Sequence, residues 1–145
     1  MSRVYFTDRD LGKQFPGILR AAGVNVESHG DSFPHNAADE DWLREVGRRG
    51  WVVLTHDKRI RYKVNERAAV LDNGVAMFVL VGSAPHADLA RSFVSLLPRV
   101  EAFLDSHPAP FIAKIYRATL RTRPQSRRDW SGRAMAPAVT FEKAV

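Results

Sequence analysis

Two hydrophobic periods alternate along the chain. Short apolar runs recur at Arg3–Thr7, Val24–Val26, Trp51–Thr55, Val75–Val81 and Phe111–Tyr116. Between them, apolar residues fall three or four apart, the spacing of one buried helix face. Leu11, Phe15, Ile18, Leu19 and Ala22 form the first such stripe, with a regular helix starting near Phe15 and Gly23 as its cap. Trp42, Leu43 and Val46 form the second, opened by Asp39 and closed by Arg48-Arg49-Gly50. Ile60, Val64, Ala68 and Leu71 form a third, stopped at Asn73-Gly74. Leu89, Ala90, Phe93, Leu97, Val100 and Leu104 form a longer fourth, which starts at Pro85 and includes Pro98. Ser28–Ala38 is rich in turn formers and reads as a loop, with His29 and His35 at its surface.

The order β-α-β-α-β-α-β-α-β predicts a three-layer α/β/α sandwich around a mostly parallel sheet with right-handed crossovers. Val75–Val81 is apolar at every position, as a strand buried on both faces requires. Beyond Tyr116 the periodicity fades. Residues 117–145 therefore read as a separate tail or partner-binding arm behind a 1–116 domain.

Composition narrows the chemistry. The chain has 145 residues, 45% hydrophobic and 26% charged, which fits one domain with a real core. It has no cysteine, which excludes disulfides and Cys-based zinc sites. No apolar run approaches the roughly twenty residues of a membrane span. Met1–Phe6 leads straight into a strand pattern without a signal-peptide pattern, so the expected location is the cytoplasm. Of the net charge of +6, the tail contributes most: seven basic residues stand there against Asp129 and Glu142. Lys58–Arg67 is a second basic cluster. Both suit a polyanionic partner, although basic surfaces also serve solubility alone.

Acids stand at three element boundaries. Asp8, with Asp10 nearby, follows the first strand; Asp39, Glu40 and Asp41 open the second helix; Asp57 follows the third strand, behind Thr55 and His56. In a parallel sheet these boundaries share one edge, beyond which ligands bind. Crowded carboxylates raise one another's pKa, and a hard divalent cation, Mg2+ or Mn2+, relieves them. Such an ion with Lys and Arg beside it suits phosphodiester hydrolysis. Taken singly, Asp39 and Asp57 also fit helix capping, Glu40 and Asp41 a favourable first turn, and Asp10 an ordinary surface charge. Thr55 fits either a strand position or an orienting role for Asp57.

At Phe6-Thr7-Asp8-Arg9-Asp10-Leu11, Ala38-Asp39-Glu40-Asp41-Trp42-Leu43 and Thr55-His56-Asp57 the chain resembles PIN-like nuclease domains. The likeness is to compact VapC-type toxins of bacterial toxin–antitoxin modules and covers about residues 3–116. It implies a Mg2+- or Mn2+-dependent ribonuclease, an RNA substrate and a cognate antitoxin, with homodimers common. It also implies that Asp8, Asp39 and Asp57 are metal ligands and catalytic, with Glu40, Asp10 and Thr55 as additional candidates. Lys58 and Arg61 would hold the RNA backbone. Two other readings stay open: a phosphoacceptor receiver-like domain with Ser83 as its hydroxyl, and a non-catalytic RNA- or protein-binding module that works through the tail.

Overall fold

The computed structural model describes residues 3–57, 63–116 and 140–143, the last group by backbone only. Strand β1 is Tyr5–Thr7, β2 Val26–Ser28, β3 Val52–Thr55, β4 Ala76–Val81, β5 Phe111–Tyr116 and β6 Thr140–Lys143. A 3-10 turn, Arg9–Leu11, follows β1. The helices are α1 (Gln14–Ala21), α2 (His29–Ser32), α3 (Asp39–Arg49), α4 (Val64–Asp72) and α5 (His86–Ser106). The sheet order is β2-β1-β3-β4-β5-β6. The first five strands run parallel and β6 is antiparallel to β5. The expected three layers are present.

Alternation along each strand divides the core. Tyr5, Val52, Leu54 and Phe78 face α1 and α5 with Phe15, Leu19 and Phe93. Phe6, Val53, Met77 and Val79 face α3 and α4 with Trp42, Leu43, Val46 and Val70. The chain leaves β1 in one direction, to β2, and continues from β3 in the other, to β4. The crevice between the carboxyl ends of β1 and β3 is therefore the switch point where doubly wound sheets place ligands.

Helix α3 spans the predicted residues, with Trp42, Leu43 and Val46 buried and Gly50 in the left-handed conformation, φ 71°. Five expectations need correction. Strand β2 lies two residues later than Val24–Val26. The Ser28–Ala38 loop contains the short helix α2, and its His29 is 1% exposed, not a surface residue. In α4 the buried residues are Ala69 and Val70, whereas Val64 is 79% exposed. Finally, regular structure returns inside the tail as β6. In α5, Leu96 is buried while Leu97 and Leu104 are only partly covered.

Candidate active site

Asp8 is placed by the end of β1. Its N–H extends the ladder by donating to Leu54 O at 3.0 Å, and its side chain caps the 3-10 turn. Oδ1 accepts from the Arg9 N–H at 2.7 Å and Oδ2 from the Thr55 hydroxyl at 2.9 Å. Thr55 is fully buried at the end of β3. The turn brings Asp10 back to the same hydroxyl, with Oδ2 3.3 Å from Thr55 Oγ1. Asp10 also accepts from the His56 N–H, at 3.2 and 3.3 Å to its two oxygens. The Asp57 N–H donates to Thr55 Oγ1 at 3.2 Å. One threonine hydroxyl thus sits among Asp8, Asp10 and the backbone of Asp57. A single hydroxyl proton serves one carboxylate at a time, so Asp8 and Asp10 share it.

The α3 side supplies Asp39. It is the first helical residue and not the cap: that position belongs to Ala38, which makes no side-chain cap bond. Asp39 Oδ1 accepts from Arg9 Nη2 at 3.1 Å and from Trp42 Nε1 at 2.9 Å. Arg9 also donates to His35 O. Across the crevice, Lys63 Nζ lies 3.0 Å from Asp57 Oδ2 and 4.0 Å from Glu66 Oε1. Glu40 is exposed on the first turn of α3. Lys58 and Arg61 lie outside the described residues. On the opposite face, the His56 ring meets Gly82 O, and its centroid is 6.3 Å from that of His86.

Burial pushes the Asp8 carboxyl up to about 6, with the charge of Asp10 next in weight and that of Asp39 adding to it. The bonds from Thr55 and Arg9 oppose the rise without cancelling it. Asp10 is raised too, first by burial and then by Asp57, against the bond from the His56 N–H. Asp8 therefore feels Asp10 and Asp39, and Asp10 feels Asp57, as like charges in a poorly solvated crevice do.

Carboxylates and a hydroxyl are hard oxygen donors, the set that suits Mg2+ or Mn2+, and the raised pKa of Asp8 and Asp10 shows repulsion that a cation would relieve. In donor chemistry the residues fit such an ion. No group of three acidic or histidine side chains among the described residues is arranged to hold one as it stands. Asp39 and Asp57 instead meet Arg9 and Lys63.

Sequence reasoning singled out every acid in this group. It missed Arg9 and Lys63 as their counter-charges and Trp42 as a donor to Asp39. The signal for Trp42 was its i+3 spacing from Asp39, which puts the two on neighbouring turns of one face. Lys63 carries no such local signal.

No solved structure gives a significant match to the chain. Among curated proteins, the "Putative ribonuclease VapC45" of Mycobacterium tuberculosis (strain ATCC 25618 / H37Rv) is 32% identical over 124 residues. The match covers 77% of this chain and 84% of that protein. A family described as "PIN like domain" matches residues 3–82, the segment that carries Asp8, Asp10, Asp39, Thr55 and Asp57. The sheet order alone is common to several doubly wound families, receivers included. With the sequence match added, the receiver reading falls away: the chain belongs to the PIN-like domain family.

Proposed function

We propose that this chain is a divalent-metal-dependent endoribonuclease and the toxin of a type II toxin–antitoxin pair, acting in the cytoplasm. The observation that carries the site is the sharing of the Thr55 hydroxyl by Asp8 and Asp10 at the sheet's switch point. Membership of the PIN-like family and the ribonuclease name of the relative support the reaction class. The VapC name and the resemblance in the three acidic motifs support the antitoxin partner, and the same resemblance suggests a homodimer.

In this reading Asp8, Asp39 and Asp57 hold Mg2+ or Mn2+, and Asp10 shapes the charge of the crevice. The bound ion supplies Lewis acidity for water and phosphodiester. Thr55 fixes the Asp8 carboxylate from within the core. Arg9 and Lys63, which pair with Asp39 and Asp57, would be the cations beside a bound ion available to the RNA backbone, together with Lys58 and Arg61.

The test is RNA cleavage by the purified protein with Mn2+, Mg2+ or EDTA, beside Asp8→Asn and Asp57→Asn. Cleavage that needs metal and is lost in both variants, with circular dichroism unchanged, is the expected outcome. Cleavage equal in the variants, or none with any RNA supplied, overturns the assignment.

A further inference from the structure

Trp42 is fully buried, yet its indole N–H reaches forward to the one carboxylate that α3 brings to the crevice. A buried indole N–H needs an acceptor, and a carboxylate makes a strong one. The arrangement has a cost in helix capping. An acid one residue earlier, in place of Ala38, would cap α3. The chain instead leaves that position to Ala38 without a side-chain bond and puts the acid where Trp42 can reach it.

The indole is itself fixed from the neighbouring strand. Its ring lies 5.2 Å from that of Phe6, two residues before Asp8 on β1, and 5.9 Å edge-on from His29. Trp42 therefore ties the carboxylate of α3 to the strand that carries Asp8. Both donors, Arg9 and Trp42, meet Oδ1 of Asp39, and no hydrogen bond to Oδ2 is seen among the described residues. They differ in kind. Arg9 is cationic and its side chain is 37% exposed, so it competes with any entering cation. Trp42 is neutral and buried, so its bond persists when a cation arrives.

We propose that Trp42 is a positioning residue of the active site: through its Nε1–H bond to Oδ1 it holds Asp39 with Oδ2 free for the divalent ion. The proposal rests on Asp39 acting as a ligand. Donors behind metal ligands typically change affinity or activity about ten- to a hundredfold when removed.

The experiment follows the tryptophan indole 15N–1H signals during Mg2+ titration of the full chain, the Trp42 signal being the one retained in both Trp51→Phe and Trp130→Phe. Calorimetry measures Mn2+ affinity, and cleavage gives kcat and KM. The Trp42 signal should move with Mg2+, whereas in Asp39→Asn it should not. Trp42→Phe should weaken Mn2+ binding and lower kcat about tenfold each with the RNA KM unchanged, while Trp51→Phe, a packing change on the same Phe6 ring, should alter neither. A folded Trp42→Phe with unchanged Mn2+ affinity and kcat overturns the proposal. So does a Trp42 signal unmoved at saturating Mg2+ in the unmutated chain, which decides the matter if the variant fails to fold. Wild-type Mn2+ affinity and cleavage in Asp39→Asn would instead overturn the ligand reading beneath it.

Discussion

Asp8 is the residue whose folding cost and proposed chemical use oppose each other most directly. Its carboxyl titrates near 6 in the folded chain, against 3.8 when solvated. The folded state therefore holds this proton more tightly, and stability falls as pH rises from about 4 to about 6. Above that window the ionised group costs roughly 3 kcal/mol at most. Asp8→Asn removes the charge while keeping the shape, so at pH 7 its melting temperature should rise by a few degrees although cleavage is lost. Calorimetric melting without divalent metal checks this, and a lower melting temperature would contradict the burial argument.

His29 works with the opposite sign. Burial lowers its pKa, so the folded chain resists its protonation. Its contribution is complete above pH 6.5 and is lost as pH falls below that value through the lowered folded pKa. His29→Phe, set among Phe6, Phe33 and Trp42, should flatten the acid limb of a stability–pH curve below pH 6.5. An unchanged limb would place the acid sensitivity elsewhere. The burial of His29 could not be read from a stretch dense in turn formers, because two of the rings that cover it, Phe6 and Trp42, come from β1 and α3.

Among the elements, both α3 and α4 were legible as helices, but only α3 in its buried face. Helix α3 carries its own start, stripe and glycine stop, so local sequence defines it completely. Helix α4 is short, and the residues it buries, Ala69 and Val70, are adjacent and so trace no stripe. What fixes α4 is its neighbour. A Cβ on Gly47 of α3 would lie 2.3 Å from the backbone oxygen of Asn73 and 3.1 Å from Val75 Cγ2. Gly47 thus lets α3 approach the end of α4 closely. Alanine there gains up to about 1 kcal/mol of helix propensity but meets a backbone atom that cannot turn aside. The clash should win, and Gly47→Ala should destabilise by about 1–3 kcal/mol in urea unfolding. A neutral or stabilising result would mean that the two helices slide apart freely.

At the scale of the whole molecule, the parallel order and both core faces followed from alternation and apolar runs. The acidic residues were legible because they stand at element ends on one edge. Their counter-charges were not, since Arg9 meets Asp39 and Lys63 meets Asp57 only after folding. The return of the chain as β6 was hidden as well, because four residues in an otherwise polar tail give no periodic signal. That strand covers the outer edge of β5, pairing Ala113 with Lys143 and Tyr116 with Thr140. Removing residues 117–145 should leave metal-dependent cleavage in the 1–116 domain but bare an apolar edge strand. We expect the truncated chain to melt lower and to self-associate in light scattering as concentration rises. A monomer of unchanged melting temperature would show that β5 needs no cover.

The Thr55 hydroxyl bond joins residues 47 positions apart in the sequence, and Asp8 N–H reaches Leu54 O across nearly the same gap. Asp8, Asp10 and Asp57 therefore become neighbours only after β1 and β3 have zipped together. During synthesis, the first acids leave the ribosome long before the partner that draws them into one crevice. A growing or misfolded chain carries the acids scattered along a strand of polymer, unable to assemble the crevice beside the RNA-rich machine making it. On the proposed ribonuclease reading, the chain has no crevice to cleave with until β1 and β3 have paired.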